Sequence, residues 1–310
     1  MIDTTKIIGR YAPSPTGDLH LGNLRTALLA WLGVRLQEGI FLMRMDDLDQ
    51  LREVDGSAAQ ILRDIEWLGL DWDGEVVYQS QRTELYQQAM QNLEAQELVY
   101  PCFCSRKDIQ HAASAPHAQY GLYPGICTQL DASAIKLKQQ KKPPAYRVRV
   151  SGREISFCDQ CLGDYQDELE KSCGDFVIKR ADGLFAYQLA TAVDDIEQGI
   201  TDVVRGADLI DSTARQIYLM NHLNVNFPEP IYWHVPLMLN DEGDRMAKRD
   251  GSLSIEKWRS KNGNAAGLIG FLAASINLID RADALSAQEL LGQLTLQEWR
   301  KAIQIDRFHN

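Results

Sequence analysis

His20, Gly22 and Asn23 lie within Asp18-Leu19-His20-Leu21-Gly22-Asn23-Leu24-Arg25. An imidazole and an amide three positions apart are short-reach donors suited to a polyphosphate, and a glycine without Cβ lets an adenine or ribose approach the backbone. Taken alone, this short pattern also fits an exposed histidine on an ordinary strand–turn–helix. Asp46, Asp47 and Asp49 follow an apolar run at its carboxyl end, where open α/β sheets place their ligands. Aspartates there also cap helices. Arg205 sits among apolar residues in Asp202-Val203-Val204-Arg205-Gly206-Ala207-Asp208, and a buried guanidinium needs an anion. That anion is either Asp195 or Asp208, or a substrate carboxylate faced by Arg205 together with Arg10 and the hydroxyl of Tyr187. Arg245-Met246-Ala247-Lys248-Arg249 is a basic turn, which alone reads as solvent-exposed.

A second cluster is built from sulfur. Cys102-x-Cys104 followed by Tyr123-x-x-x-Cys127 offers three thiolates and a phenol, a tetrahedral set for zinc. By chemistry alone His111 or His117 competes with Tyr123 for the fourth position, and free structural thiols are the alternative to any metal. Cys158 and Cys161 form a C-x-x-C pair with Cys173 as the nearest further thiol; no ligand is assigned to them.

Elements must hold these residues in place. Ile7 and Ile8 begin an apolar strand, Pro13, Pro15 and Gly17 break it, and Leu24, Leu28, Trp31 and Leu32 recur at helical spacing. The turn therefore opens onto a helix N-terminus, whose N–H groups and partial positive charge can hold phosphate. Phe41-Leu42-Met43-Arg44-Met45 predicts a second, parallel strand and so a βαβ unit. Residues 55–68 and 82–98 show helical spacing. From Pro101 to about Leu184 the periodic signal weakens, a short strand begins at Tyr146, and Asp182-Gly183 marks a hairpin that returns the chain to the core. Residues 187–216 and a last apolar strand at 231–239 form the second core half. The expectation is an α/β fold with a doubly wound parallel (Rossmann-type) sheet, a zinc-binding insertion and a short C-terminal helical segment. The boundaries are 1–100 and 185–255 for the two halves of a nucleotide-binding catalytic domain, 101–184 for the inserted unit, and 256–310 for the helices.

Composition narrows the function classes. With 310 residues and 45% hydrophobic content, the chain can bury a sizeable core. A net charge of -11 excludes a generally basic nucleic-acid binder, so any polyanion must meet a local basic face. No stretch of ~20 apolar residues is present and residues 1–6 carry no apolar signal core, which predicts a cytoplasmic protein without membrane partners. Six unevenly spaced cysteines suit metal or free thiols better than a disulfide framework.

The run from Arg10-Tyr11-Ala12-Pro13-Ser14-Pro15-Thr16-Gly17 through Leu28 resembles R-[FY]-A-P-S-P-T-G-x-L-H-x-G-[HN]-x-R-T-A-L, the signature of the class I glutamyl-tRNA synthetase family. Arg44-Met45-Asp46-Asp47-Leu48-Asp49 is similar to its R-[IL]-E-D-x-D, and Arg245 to Arg249 to its K-[LM]-S-K-R loop. The chain departs from these patterns at Asn23, Asp46, Arg245 and Ala247. The resemblance implies activation of L-glutamate by ATP with Mg²⁺. It implies catalytic roles for His20, Asn23 and Lys248, and ATP binding by His20, Gly22, Asn23 and Lys248, whose cation stabilises phosphate charge. Glutamate would be held by Arg10, Tyr11, Ala12, Pro13, Ser14, Asp46, Tyr187 and Arg205, with Asp46 on the amino group. Zinc would be held by Cys102, Cys104, Tyr123 and Cys127. Only 62 residues follow Lys248, where a discriminating family member continues into an anticodon-binding region. The expectation is therefore a truncated, monomeric paralogue that transfers glutamate to the queuosine base in the anticodon arm of tRNA(Asp). A minimal synthetase charging a tRNA 3′ end and a non-catalytic glutamate-binding regulator are the alternatives.

Overall fold

The computed structural model describes residues 6–105, 107–109, 122–152, 154–238 and 255–304. The segment Arg245–Arg249 with Lys248, and both His111 and His117, lie outside the described residues. In chain order the first elements are β1 (Ile8–Tyr11), α1 (Leu21–Arg35), β2 (Ile40–Met45), α2 (Ser57–Trp67), β3 (Val77–Tyr78) and α3 (Thr83–Ala95). Next come β4 (Val99–Cys102), α4 (Ala132–Gln139), β5 (Ala145–Val148), β6 (Glu154–Asp159), β7 (Gly163–Glu168), α5 (Leu169–Ser172) and β8 (Phe176–Lys179). The chain continues through α6 (Tyr187–Glu197), β9 (Asp202–Gly206), α7 (Ile210–Leu223) and β10 (Ile231–Val235) to α8 (Ile255–Asn262), α9 (Ala265–Ala274), α10 (Ala287–Gln293) and α11 (Leu296–Ile303).

The main sheet has the order β3-β2-β1-β9-β10-β6-β7. Its first five strands are parallel, so the order reverses between β1 and β9, as in doubly wound folds. The expected βαβ unit is present, with Ile8 to Tyr11 in register with Ile40 to Met43. The central strands carry apolar residues on both faces because helices cover both.

Helix α1 explains much of this packing. Leu24, Leu28, Trp31 and Leu32 are fully buried, and so are Leu21 and Leu29 on its other faces. A helix apolar all round must be covered on all sides. The sheet covers one side, and α9, α10 and α11 cover the rest, with Trp299 of α11 edge-on to Trp233 of β10 at 5.0 Å. Each such fully buried large side chain contributes about 1.5–3 kcal/mol. The C-terminal helices therefore clamp the helix that carries His20.

Residues 101–184 divide between two places. Strands β4, β5 and β8 form a separate antiparallel sheet. The hairpin β6–β7 instead extends the main sheet, β6 running parallel to β10 with Asp159 opposite Tyr232. The turn at Asp182-Gly183 forms as expected: Gly183 takes φ 92°, which favours glycine, and Arg180 N–H donates to Leu184 O at 2.8 Å. Its second arm is a single bridge, Lys179 to Phe185, before α6 begins.

Candidate active site

A cavity of about 530 Å³ opens at the reversal point, where the carboxyl ends of β1, β9 and β10 meet the start of α1. The loop after β1 forms one wall. Pro13 O accepts Asp46 N–H and Pro15 O accepts Val54 N–H, both at 3.0 Å, while the Ser57 hydroxyl bridges both backbone groups of Gly17. The prolines have no N–H to donate, so these carbonyl contacts fix the loop's path. His20 is the N-cap of α1, its Nδ1 accepting from Asn23 N–H at 3.3 Å. A neutral ring accepting at Nδ1 carries its proton on Nε2, which leaves a donor there. A Cβ on Gly22 would stand 3.1 Å from His20 Cε1 and Nδ1, so glycine is what lets the ring fold back onto the helix end.

The cavity's acidic side is tied into a buried charge network. Arg44 donates Nε to Asp46 Oδ1 at 2.8 Å and Nη1 to Asp195 Oδ1 at 2.7 Å. Arg10 reaches the same Asp195 through Nε and Nη2 at 3.2 and 3.3 Å. Asp194 accepts from Gln79 Nε2, Arg82 Nε and the Tyr86 hydroxyl, which anchors α6 to the start of α3. Burial works against the Asp195 carboxylate, but Arg10 and Arg44 outweigh it and hold its pKa below the usual value. Asp46 goes the other way: burial, opposed by Arg44 and reinforced by Asp194, pushes its carboxyl up to about 6.

Arg205 is different. It is buried and lines the cavity, yet its hydrogen bonds all go to neutral groups: Nε to His234 Nε2 at 3.0 Å, Nη1 to Gln216 Oε1 at 2.8 Å and Nη2 to Thr213 Oγ1 at 2.7 Å. Among the described residues no carboxylate pairs with it; Asp195, one of its two expected partners, is taken by Arg10 and Arg44. His234 in turn stands 2.6 Å through Nδ1 from Asp159 Oδ2. Burial, together with the Arg205 charge, keeps the His234 pKa below its ordinary value despite Asp159.

The cysteine cluster forms beside β4. The sulfurs of Cys102, Cys104 and Cys127 all lie within 4.8 Å of one another, and the Tyr123 oxygen is 3.3 Å from Cys102 Sγ and 3.7 Å from Cys104 Sγ. Burial and the neighbouring sulfurs push the Cys104 thiol up to about 12 and raise the Tyr123 phenol. A divalent cation reverses that preference by stabilising the deprotonated donors. The chemistry of this donor set thus fits a metal. Cys158 and Cys161 join no such group among the described residues; their segment is a turn in which Asp159 Oδ1 accepts the N–H groups of Cys161 and Leu162.

Of the residues expected at the site, Arg10, Tyr11, Ala12, Pro13, Ser14, His20, Gly22, Asn23, Asp46, Tyr187 and Arg205 all line the one cavity; Lys248 lies outside the described residues. Thr26, Leu209 and Pro236 to Met238 also line the cavity and were not expected there, and Asp208, expected only as a possible partner of Arg205, is a further lining residue. Sequence reasoning also missed His234 and Asp159. A histidine inside an apolar strand was the available signal for the first.

A parallel sheet whose order reverses over a histidine-capped helix N-terminus is the arrangement in which open α/β folds place ligands, and that end of α1 can receive an anion. Residues 6–304 match the family model for tRNA synthetases class I (E and Q), catalytic domain, and the chain belongs to that family. It is 46% identical over 274 residues to the glutamyl-Q tRNA(Asp) synthetase of Nocardia farcinica, covering 88% of this chain and 86% of that one. It is 49% identical over 255 residues to the glutamyl-Q tRNA(Asp) synthetase of Geobacter sulfurreducens, with 82% and 79% covered. The crystal structure of a glutamate tRNA ligase from Elizabethkingia meningosepticum in complex with its amino acid matches with a TM-score of 0.81 at 25% identity. That match covers 94% of this chain and 65% of the ligase.

Proposed function

We propose that this chain activates L-glutamate with ATP, without needing tRNA for that step, and transfers the glutamyl group to queuosine in the anticodon arm of tRNA(Asp). The observation that carries the amino-acid half is Arg205, a buried cation with only neutral partners in the cavity that also holds the capped end of α1. A dicarboxylic substrate supplies the missing anion. The named relatives support the acceptor.

In this reading the ammonium group of glutamate rests on Asp46 and its γ-carboxylate on Arg205, with Tyr187 alongside. The α-carboxylate then attacks the α-phosphorus of Mg-ATP, the bond to pyrophosphate breaks, and glutamyl-adenylate remains. The nucleophile is already anionic, so the chain contributes position and charge, not a base. His20 Nε2–H, Asn23 and the N-terminus of α1 face phosphate, and Lys248 adds a cation. A hydroxyl of the queuosine ring attacks the acyl carbon and gives up its proton, and AMP leaves with the electrons of the broken acyl–oxygen bond and takes up that proton.

Cys102, Cys104, Cys127 and Tyr123 would hold one zinc ion in a structural role. We assign residues 1–100 and 185–255 to the catalytic domain, 101–184 to the zinc-binding insertion, of which the β6–β7 hairpin is carried on the main sheet, and 256–310 to the helical segment, acting as a monomer. Six free cysteines suit a reducing, cytoplasmic setting. Among the described residues no helix is long and apolar enough to cross a membrane.

The test uses ATP–pyrophosphate exchange with each amino acid, then radiolabelled glutamate with queuosine-containing tRNA(Asp). Exchange with glutamate alone, and label that survives removal of the terminal adenosine, are expected. Label on the 3′ end would make the chain a minimal glutamyl-tRNA synthetase, and glutamate binding without exchange would make it a regulator.

A further inference from the structure

Arg205 must hold its charge toward the cavity without a carboxylate beside it, and the groups behind it are arranged for that. Asp159 acts only as an acceptor: Oδ1 takes Cys161 N–H and Leu162 N–H at 3.0 and 2.8 Å, and Oδ2 takes His234 N–H at 3.1 Å. The remaining contact, His234 Nδ1 to Asp159 Oδ2, therefore has its proton on Nδ1. The lone pair of the neutral ring is then on Nε2, where Arg205 Nε–H and the Thr213 hydroxyl meet it at 3.0 and 3.1 Å. Asp159 and His234 are both almost wholly buried, so water does not substitute for either.

We infer that Asp159 and His234 are positioning residues for substrate selection: the Asp159 carboxylate locks the His234 tautomer, and the His234 lone pair aims Arg205 at the substrate carboxylate. The relay orients the guanidinium while leaving its charge for the substrate, because a neutral imidazole separates it from Asp159. It also gives the β6–β7 hairpin a task in the site, since Asp159 is the last residue of β6 beside β10. This inference rests on the reading of Arg205 as the partner of the glutamate carboxylate.

Asp159→Asn is the informative change. Its amide N–H donates to Nδ1, forces the proton onto Nε2 and sets two donors against each other at Arg205. The KM for glutamate in pyrophosphate exchange should rise about 10- to 100-fold, with kcat and the KM for ATP changed less than about threefold. His234→Gln keeps a donor toward Asp159 and an acceptor toward Arg205, and should stay within about threefold of wild type. Arg205→Ala separates the two ideas. If it leaves the KM for glutamate unchanged, Arg205 is not the carboxylate partner and the inference falls with that reading. If it raises KM while folded Asp159→Asn does not, the relay alone is wrong. Nitrogen-15 NMR of the wild-type His234 ring keeps the question open to refutation if Asp159→Asn does not fold: an Nδ1–H tautomer is expected, and Nε2–H overturns the relay.

Discussion

On the proposed reading Asp46 couples glutamate binding to pH, and the direction follows from its surroundings. Its carboxyl is raised from 3.8 to about 6, chiefly by burial and in spite of Arg44. Only the carboxylate can receive an ammonium group, so kcat/KM for glutamate should fall about tenfold per pH unit below about 6 and level off above 7. Asp46→Asn should lower the plateau by about 2 kcal/mol, roughly thirtyfold, and flatten the profile, since a charged hydrogen bond becomes a neutral one. Stability moves oppositely. An acid whose folded pKa is raised stabilises the fold at low pH, and that contribution is lost as pH rises through the folded value. A shift of about 2 units corresponds to a loss of about 3 kcal/mol by pH 8. Asp46→Asn, which cannot ionise, should therefore melt higher than wild type at pH 8 by up to that amount and lose the advantage near pH 4. Kinetics from pH 5 to 8.5 and melting curves at both ends test the two halves. A flat wild-type profile, or a melting difference independent of pH, would refute the assignment of a strained carboxylate at residue 46.

Elemental analysis should find about one zinc per chain, lost in Cys102→Ser plus Cys127→Ser and kept in Cys161→Ser; retention in the double variant removes the site. Gly22→Ala, by pushing the His20 ring off its cap, should cost about 1 kcal/mol of stability and about tenfold in exchange turnover. Unchanged kinetics would show that the ring has no part in phosphate contact. Lys248→Ala should lower kcat for adenylate formation roughly 100- to 1000-fold with little change in the KM for glutamate; wild-type turnover would pass that role to Arg245 or Arg249.

What was legible in the sequence was what local rules encode. The breakers Pro13, Pro15 and Gly17 before a helical repeat locate the turn at the heart of the cavity, and Asp182-Gly183 locates a hairpin. What stayed hidden depends on long-range pairing. Strand β6 alternates exposed and buried residues, a pattern that suits many sheet edges, and nothing local says that it joins β10. Asp159 was obscured by its C-x-x-C neighbours, whose spacing suggested thiol chemistry where the structure has a backbone turn. Neighbouring Asp194 and Asp195 look alike in sequence, but helical geometry sends one to Arg82 and Tyr86 and the other to Arg10 and Arg44. Arg10, read as a cation facing substrate, thus shares its charge with Asp195, and of the two described arginines that line the cavity only Arg205 lacks a carboxylate partner.

That asymmetry makes the sheet itself a measure of the substrate. Asp46 follows β2 and Arg205 lies on β9, with β1 between them. Two strand intervals of ~4.8 Å each separate their backbones across the sheet. An extended glutamate spans roughly 5 Å from its nitrogen to its γ-carboxylate carbon by ordinary bond lengths. Adding the carboxylate C–O bond and a hydrogen bond of about 2.8 Å at each end gives a span of roughly 12 Å between the groups that hold it. Aspartate, about 1.3 Å shorter, would lose contact at one end and leave a buried charge unpaired, which is strongly disfavoured. The cluster of Arg10, Arg44 and Arg82 against Asp46, Asp194 and Asp195 holds the spacing by tying β1, β2 and the start of α3 to α6. Buried ion pairs are weak sources of stability but good at fixing register. On the proposed reading, that fixed interval, with one end anionic and the other cationic, selects glutamate by length as well as by charge.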